Sequence, residues 1–352
     1  MEQTRVLVTG GCGFLGTAVV SALLATTRFD ITAIDINPPS LGGSSFTDSV
    51  RYVRCNILDA SALAKVFAEA RPAIVVHTVG VYPLGARRYS MKGKEAVFQV
   101  NVEGTRNVLE AARGCGARGL VYTSSVTVVM DELERDWRNV GEEWPTGRAE
   151  TSYGMSKTHA ESLILSASTP SFPTCALRSS PIFGPNDPTC IPTIHSLIAS
   201  HQTGLVLGTG TNLHDFVYIS NIADAHVLAV GNLLNSGTAA GQAFFISNGE
   251  PVSARDFCIA VWKEFGHVPP WSVHVPERLG WWLGAASEVA AWLTGVEGPL
   301  NRGVVSEACR ERYVCVGKAR RVLGYEPRVG LEEGIRRSCA HYRKQLEGRA
   351  KR

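Results

Sequence analysis

Charge of either sign is scarce in this sequence of 352 residues. Its 35 Lys and Arg face 32 Asp and Glu, a net charge of +3, and 19% of all residues are charged. No one-sided field is therefore available to hold nucleic acid. Cys-x-x-Cys pairs are missing. The nine cysteines are an odd number and lie scattered, which points to a reducing, cytoplasmic setting. No cleavable apolar leader is expected either, since Met1 to Arg5 leads straight into the first apolar run. There is no H-E-x-x-H, and the histidines, His214 and His226 among them, show no ligand spacing. No metal is expected, and they read as structural or substrate-lining. Internal repeats and low-complexity tracts are absent as well. What remains is a chain able to bury a large core and long for one compact domain.

What is present begins with Arg5-Val-Leu-Val-Thr-Gly-Gly-Cys-Gly-Phe-Leu-Gly16. The run Val6 to Val8 reads as a buried strand, and it breaks into Gly10, Gly11, Gly13 and Gly16. An amphipathic helix follows to Ala25. Strand, glycine turn and helix in this order suit a dinucleotide phosphate, which lies on the free N–H groups at the helix start. The spacing is Gly10-x-x-Gly13-x-x-Gly16 rather than G-x-G-x-x-G, and alone it also fits an ordinary strand-to-helix turn. A second strand, Ile31 to Asp35, ends in an acid 19 residues after Gly16. A carboxylate there accepts hydrogen bonds from the adenosine ribose and repels a 2′-phosphate. Ile36, Asn37 and Pro38 follow, so no adjacent Arg makes a phosphate pocket, and NAD is favoured over NADP.

Further along, residues 37–49 read as a loop, Tyr52 to Asp59 as a third strand and Ser61 to Ala70 as a helix. Asp59 suits either an adenine contact or a helix cap. A continuous apolar strand, Ala73 to Gly80, should pass beneath the cofactor diphosphate at His77 to Gly80. A helix from Asn101 to Ala112 and a fifth strand, Gly119 to Ser125, complete a βαβαβ alternation. Residues 131–150 are acidic and Trp-containing and read as a surface excursion near the active site. A helix opens at Tyr153, and Thr174 to Arg178 is a sixth strand. The fold class is α/β, a Rossmann-type doubly wound parallel sheet with a smaller C-terminal substrate-binding region. Residues 1–178 form the NAD-binding core, and 179–352 are mainly substrate-binding, with some elements returning to the core. Residues 279–296 are nearly uncharged. They read first as a buried or lid helix over an apolar substrate, with monotopic contact to a membrane such as the endoplasmic reticulum as the alternative. The basic tail from Arg336 reads as a solvated helical face.

Tyr153 and Lys157 lie four apart, on one helix face. A phenol with an ordinary pKa of about 10 is a poor base at neutral pH. A neighbouring ammonium and the positive nicotinamide ring both favour its phenolate. Ser124 and Ser125 end the fifth strand, at the edge where ligands of open α/β sheets collect.

With Thr9 to Gly16, Tyr122-Thr-Ser-Ser125 and Tyr153-Gly-Met-Ser-Lys157 together, the chain resembles an extended short-chain dehydrogenase/reductase. Within that superfamily it is most similar to the 3β-hydroxysteroid dehydrogenase/isomerase family, including the sterol-4α-carboxylate 3-dehydrogenases. Supporting segments are Asn101 to Thr105, Ile182 to Pro185, Asp215 to Asn221, Gly241 to Pro251 and Leu323 to Pro327. The resemblance implies NAD-dependent oxidation of a secondary 3β-type hydroxyl on a steroid or terpenoid. Tyr153 would be the base, Lys157 its tuner and Ser125 the catalytic hydroxyl. It implies cofactor contacts from Gly10, Gly13, Phe14, Leu15, Gly16, Asp35, Ile57, Asp59, His77, Asn101, Tyr153, Lys157 and Ser180, and a homodimer. A carboxyl β to the new ketone could then leave as carbon dioxide without further catalytic groups, whereas no residue is identifiable for an isomerase step. Ser179-Ser180-Pro181 and Val79-Gly80 depart from the family pattern beside the substrate mouth. Rival readings are an NADPH-dependent carbonyl reductase, a nucleotide-sugar epimerase or dehydratase, and a non-catalytic NAD-binding regulator. Asp35, the greasy 279–296 segment and the intact Tyr/Lys pair oppose these in turn.

Overall fold

The computed structural model describes residues 3–39, 47–296, 298 and 300–350. The expected loop at 37–49 therefore lies partly outside the described residues. In chain order the first half comprises β1 (Thr4–Thr9), α1 (Phe14–Ala25), β2 (Phe29–Asp35), β3 (Val50–Arg54), α2 (Ala60–Ala70) and β4 (Ile74–His77). It continues with α3 (Lys94–Phe98), α4 (Gly104–Gly114), β5 (Leu120–Ser125), β6 (Trp137–Val140), α5 (Ser152–Ser166) and β7 (Thr174–Ser179). The second half carries short strands β8 (Ile182–Phe183), β9 (Leu205–Leu207), β10 (Leu213–His214) and β11 (Val217–Tyr218), with α6 (Cys190–Ala199) among them. Then follow α7 (Ile219–Leu234), β12 (Gln242–Ile246), β13 (Val252–Ser253), α8 (Ala254–Glu264) and β14 (Val273–Val275). The chain ends with α9 (Glu277–Thr294), α10 (Arg302–Ala308), β15 (Arg312–Val314), α11 (Gly317–Leu323) and α12 (Leu331–Ala350).

Seven parallel strands form the main sheet in the order β12-β7-β5-β4-β1-β2-β3. The chain order reverses between β1 and β4, the switch point at which open α/β sheets bind ligands. Both faces are covered, as the unbroken apolar strands require. Along β1, Val6 and Val8 enter one core with α1 and α7, while Leu7 enters the other with α2, α4 and α5. Register then sets the site. Thr9 pairs with His77, His77 with Tyr122, and Ser125 with Ser179, so four strand ends line one edge. β12 extends the sheet past β7, so the second half does return to the core.

Two expectations are corrected. Residues 131–150 are a surface excursion only in part. Asp131, Trp137 and Val140 are buried, and β6 joins a four-stranded sheet, β13-β10-β15-β6. Trp137 and Val140 form a third apolar cluster with Val128, Phe245 and Val314, and Glu142 accepts a hydrogen bond from Phe245 N at 2.8 Å. The acidic composition hid two tryptophans that cover the β12 end of the sheet. The expectation of a buried helix at 279–296 also fails. In α9 only Gly280 and Gly284 are buried; they let the helix approach α10 closely, while Trp282 is 69% and Trp292 81% exposed. No helix among the described residues is long and apolar enough to cross a membrane.

Candidate active site

The glycine turn is shaped for close approach. Gly10 has φ +69°, and Gly13 N donates to Gly10 O at 3.0 Å. A Cβ on Gly16 would overlap the Gly10 carbonyl. Gly13 caps α1 without a side chain, so the N–H groups beside Phe14 and Leu15 are left for an anion. Asp35 closes β2 next to this turn, where its carboxylate accepts from Cys12 N at 3.2 Å and Asn37 N at 3.0 Å. An uncapped helix start, a turn with no room for a side chain and an acid at the neighbouring strand end together fit an adenine dinucleotide.

Other residues of the expected cofactor set are occupied within the protein. His77 is fully buried, its Nδ1 2.6 Å from Thr9 Oγ1 and its Nε2 2.9 Å from Thr105 Oγ1. Burial pushes its pKa down to about 3. It is a neutral strut under the sheet edge with both ring nitrogens engaged, and it offers a cofactor no polar atom. Asn101 lies in a π-helical turn, Gln99–Glu103, and clasps Val81 N and O and Ser156 Oγ at 2.7, 3.0 and 2.9 Å. It therefore pins the loop after β4 onto α5. Asp59 caps α2 through Ala62 N and Ser61 Oγ, which holds its carboxyl below the ordinary value. Ile57 is buried against Gly104. Ser180 is buried, and its hydroxyl has no hydrogen-bond partner among the described residues.

The structure brings Ser125, Tyr153 and Lys157 together. Thr151 caps α5 by accepting from Gly154 N at 3.0 Å, and its own N and Oγ1 donate to Asp131 Oδ2 at 2.7 and 2.8 Å. The helix start that carries Tyr153 is thus anchored to a buried carboxylate. The Ser125 hydroxyl favours the Tyr153 phenolate, and the Tyr153 ring meets Tyr82 edge-on at 4.9 Å. Ser124 instead donates to Glu161 at 2.6 Å, which removes it as the reacting hydroxyl.

Lys157 is not bonded to the phenol. Its ammonium donates to Thr123 O at 2.9 Å and Tyr122 Oη at 3.2 Å, and lies 6.0 Å from the Tyr153 ring centre. A Cβ on Gly80 would come within 3.1 Å of that ammonium, so the departure at Gly80 makes its room. Burial pushes Lys157 down to about 8, opposed by the Glu161 carboxylate. Burial also raises Tyr153 well above an ordinary phenol, and the Ser125 hydroxyl offsets this only in part. Desolvation therefore outweighs the favouring charges in the free protein, and the expectation that the ammonium and the nicotinamide ring together favour the phenolate concerns the protein with cofactor bound.

Sequence reasoning missed two supports. Glu161, one turn beyond Lys157, pairs with Arg178 at 2.7 Å deep in the core. The four-residue spacing on the helix was a usable signal. Arg88 and Glu307, 2.9 Å apart near Tyr82, are separated by more than two hundred residues and gave none.

With this geometry in place, comparison with known proteins is informative. The model of the 3-beta hydroxysteroid dehydrogenase/isomerase family matches residues 7–277. The decarboxylating sterol-4-alpha-carboxylate 3-dehydrogenase of Schizosaccharomyces pombe is 37% identical over 97% of this chain and 98% of its own length. The 2-alkyl-3-oxoalkanoate reductase of Stenotrophomonas maltophilia is 31% identical over 95% and 98%. Among solved structures, the UDP-glucose 4-epimerase of Thermotoga maritima superposes with TM-score 0.75 at 20% identity, covering 97% of this chain and 100% of that one. That last likeness speaks for the fold alone.

Proposed function

The chain belongs to the 3-beta hydroxysteroid dehydrogenase/isomerase family, and from there we propose that it oxidises a secondary 3β-type hydroxyl of a sterol or steroid to a ketone, with NAD. One observation carries the reading: the Tyr153 phenol, with Ser125 favouring its ionised form, stands at the same sheet edge as the glycine cradle and Asp35. Bound NAD supplies the hydride acceptor, with Gly10, Gly13, Gly16 and Asp35 as its holders. Ser125 hydrogen-bonds the substrate oxygen and orients it toward Tyr153. Tyr153 Oη takes the hydroxyl proton as the carbinol carbon gives up its hydride, so the C–H and O–H bonds break and the C=O bond forms. Because burial disfavours the phenolate, the proton leaves Tyr153 only where positive charge stands near it: the Arg88 guanidinium favours the phenolate, and the Lys157 ammonium lies 6.0 Å from the ring centre.

The named relatives act on compounds whose carboxyl lies β to the oxygen-bearing carbon. A 3-oxo product of that kind loses carbon dioxide readily, the C–C bond electrons passing into the enolate, which solvent protonates. The direct test incubates the protein with NAD and a 3β-hydroxysteroid-4α-carboxylate, following reduced cofactor and carbon dioxide. Absence of both would end the proposal. Replacing Asp35 by Ala is expected to weaken NAD and narrow its preference over NADP by roughly 10- to 100-fold, the worth of hydrogen bonds to a charged acceptor. An unchanged preference would show that another residue reads the ribose.

Membrane contact belongs to the same reading. α9 exposes Leu279, Trp282, Leu283, Val289, Trp292 and Leu293, and it packs on α10 at the side of the site where Glu307 meets Arg88. An apolar alcohol could then enter directly from a lipid surface. Trp282→Glu together with Trp292→Glu is expected to lower partition into phosphatidylcholine vesicles by about tenfold or more, from the apolar area withdrawn. Equal partition in a flotation assay would assign the patch elsewhere. Self-association through α4 and α5 completes the reading, and sedimentation of the full chain tests it.

A further inference from the structure

One charged cluster stands beside the phenol, and its arginine does more than favour the Tyr153 phenolate. Arg88 lies on the short 3-10 turn Gly85–Tyr89 in the loop after β4. Its guanidinium sits 5.5 Å from the ring centre of Tyr82 and 5.4 Å from that of Tyr89. Tyr82, itself 40% exposed, is the ring that meets Tyr153 edge-on. Arg88 Nη1 is 2.9 Å from Glu307 Oε2, yet its buried Nε has no hydrogen-bond partner among the described residues. Arg312 approaches the same Glu307 at 3.8 Å, and its Nη1 likewise lacks a hydrogen bond.

Glu307 therefore answers two guanidinium groups, and the Tyr89 hydroxyl also bonds to it. The two arginines hold its carboxyl down to about 2 although desolvation pushes it up. The other acid within their reach, Asp131, has one oxygen committed to Thr151, and burial pushes its carboxyl up. His214 faces the cluster as a neutral imidazole, pushed down to about 4 by burial. Guanidinium N–H groups left without acceptors, next to a site for an alcohol, define a place for one more anion.

We propose that Arg88, clamped by Glu307 in the free protein, binds the carboxylate of a β-hydroxy acid substrate beside the Tyr153 phenol. The inference rests on the dehydrogenase reading above and names what that site recognises. A sterol 4-carboxylate and a 2-alkyl-3-oxoalkanoate have different skeletons. They share a carboxylate on the carbon next to the oxygen-bearing one, which places the acid group within a side chain's reach of the reacting oxygen. A planar fork of N–H donors matches that group, and an ammonium would not match it as well.

The test measures kcat/KM with NAD for a 3β-hydroxysteroid-4α-carboxylate and for its methyl ester, and takes the ratio of acid to ester. Arg88→Met is expected to lower this ratio by about 10- to 100-fold, mainly through KM, and Arg88→Lys to restore part of it. Glu307→Gln, which removes the competing carboxylate, is expected to raise the ratio. Damage to the fold does not predict a gain, so this variant decides the matter even if Arg88→Met fails to fold. An unchanged ratio in both variants, or a fall in Glu307→Gln, overturns the carboxylate subsite and leaves the dehydrogenase reading standing. If the unaltered protein oxidises neither acid nor ester, the dehydrogenase reading falls and this inference with it.

Discussion

Tyr153→Phe is expected to bind NAD as tightly as the unaltered protein and to lose oxidation of the alcohol by about 10³-fold, within the range of general acid–base catalysis. The phenyl ring keeps the edge contact with Tyr82 and the helix start held by Thr151 and Asp131, so the cradle at the strand ends is untouched. What disappears is the oxygen whose ionised form Ser125 favours and that receives the proton. A loss of that size is about 4 kcal/mol in the barrier. Fluorescence titration with NAD and initial rates of cofactor reduction read the two quantities separately. Turnover within tenfold of normal would remove the phenol from the mechanism. A parallel loss of NAD binding would point to a structural role instead.

Arg178→Met is expected to have the largest effect on stability, about 3–5 kcal/mol, because it leaves Glu161 buried without its cation. Arg178 and Glu161 are each nearly fully buried, and three hydrogen bonds join them, at 2.7, 3.0 and 3.2 Å. Glu161 also accepts from Ser124, the residue before Ser125, and its charge supports the ammonium of Lys157. Removing only the arginine thus strains a group that touches two neighbours of the site. A fall in melting temperature on the order of 10 °C is expected. The double variant Glu161→Leu with Arg178→Met should recover part of it, since apolar pairs replace buried ion pairs at little cost. An Arg178→Met protein melting with the unaltered one would show that the pair does not hold the strand ends.

The catalytic face was legible early because helix geometry is local. Four residues return a side chain to the same face, so Tyr153 and Lys157 had to be neighbours wherever the helix lay. The glycine turn and Asp35 were legible for a similar reason: strand, turn and helix are set within thirty-five residues. Residues 131–150 misled because composition does not show which Trp will find a partner. Trp137 is buried only because β15, from the far end of the chain, pairs with β6. In α9 the tryptophans suggested burial, yet the two glycines occupy the contact face and turn the large rings outward.

By itself, the order of residues determined the doubly wound sheet, the acid at the end of its second strand and the shared face of the tyrosine and lysine, all products of short-range periodicity. Only the tertiary structure decided the electrostatics. It showed that burial disfavours the Tyr153 phenolate, that His77 is spent between two threonines, and that Arg88 meets Glu307. Desolvation and ion pairing depend on what surrounds a group in three dimensions, and distant stretches of chain supply those surroundings.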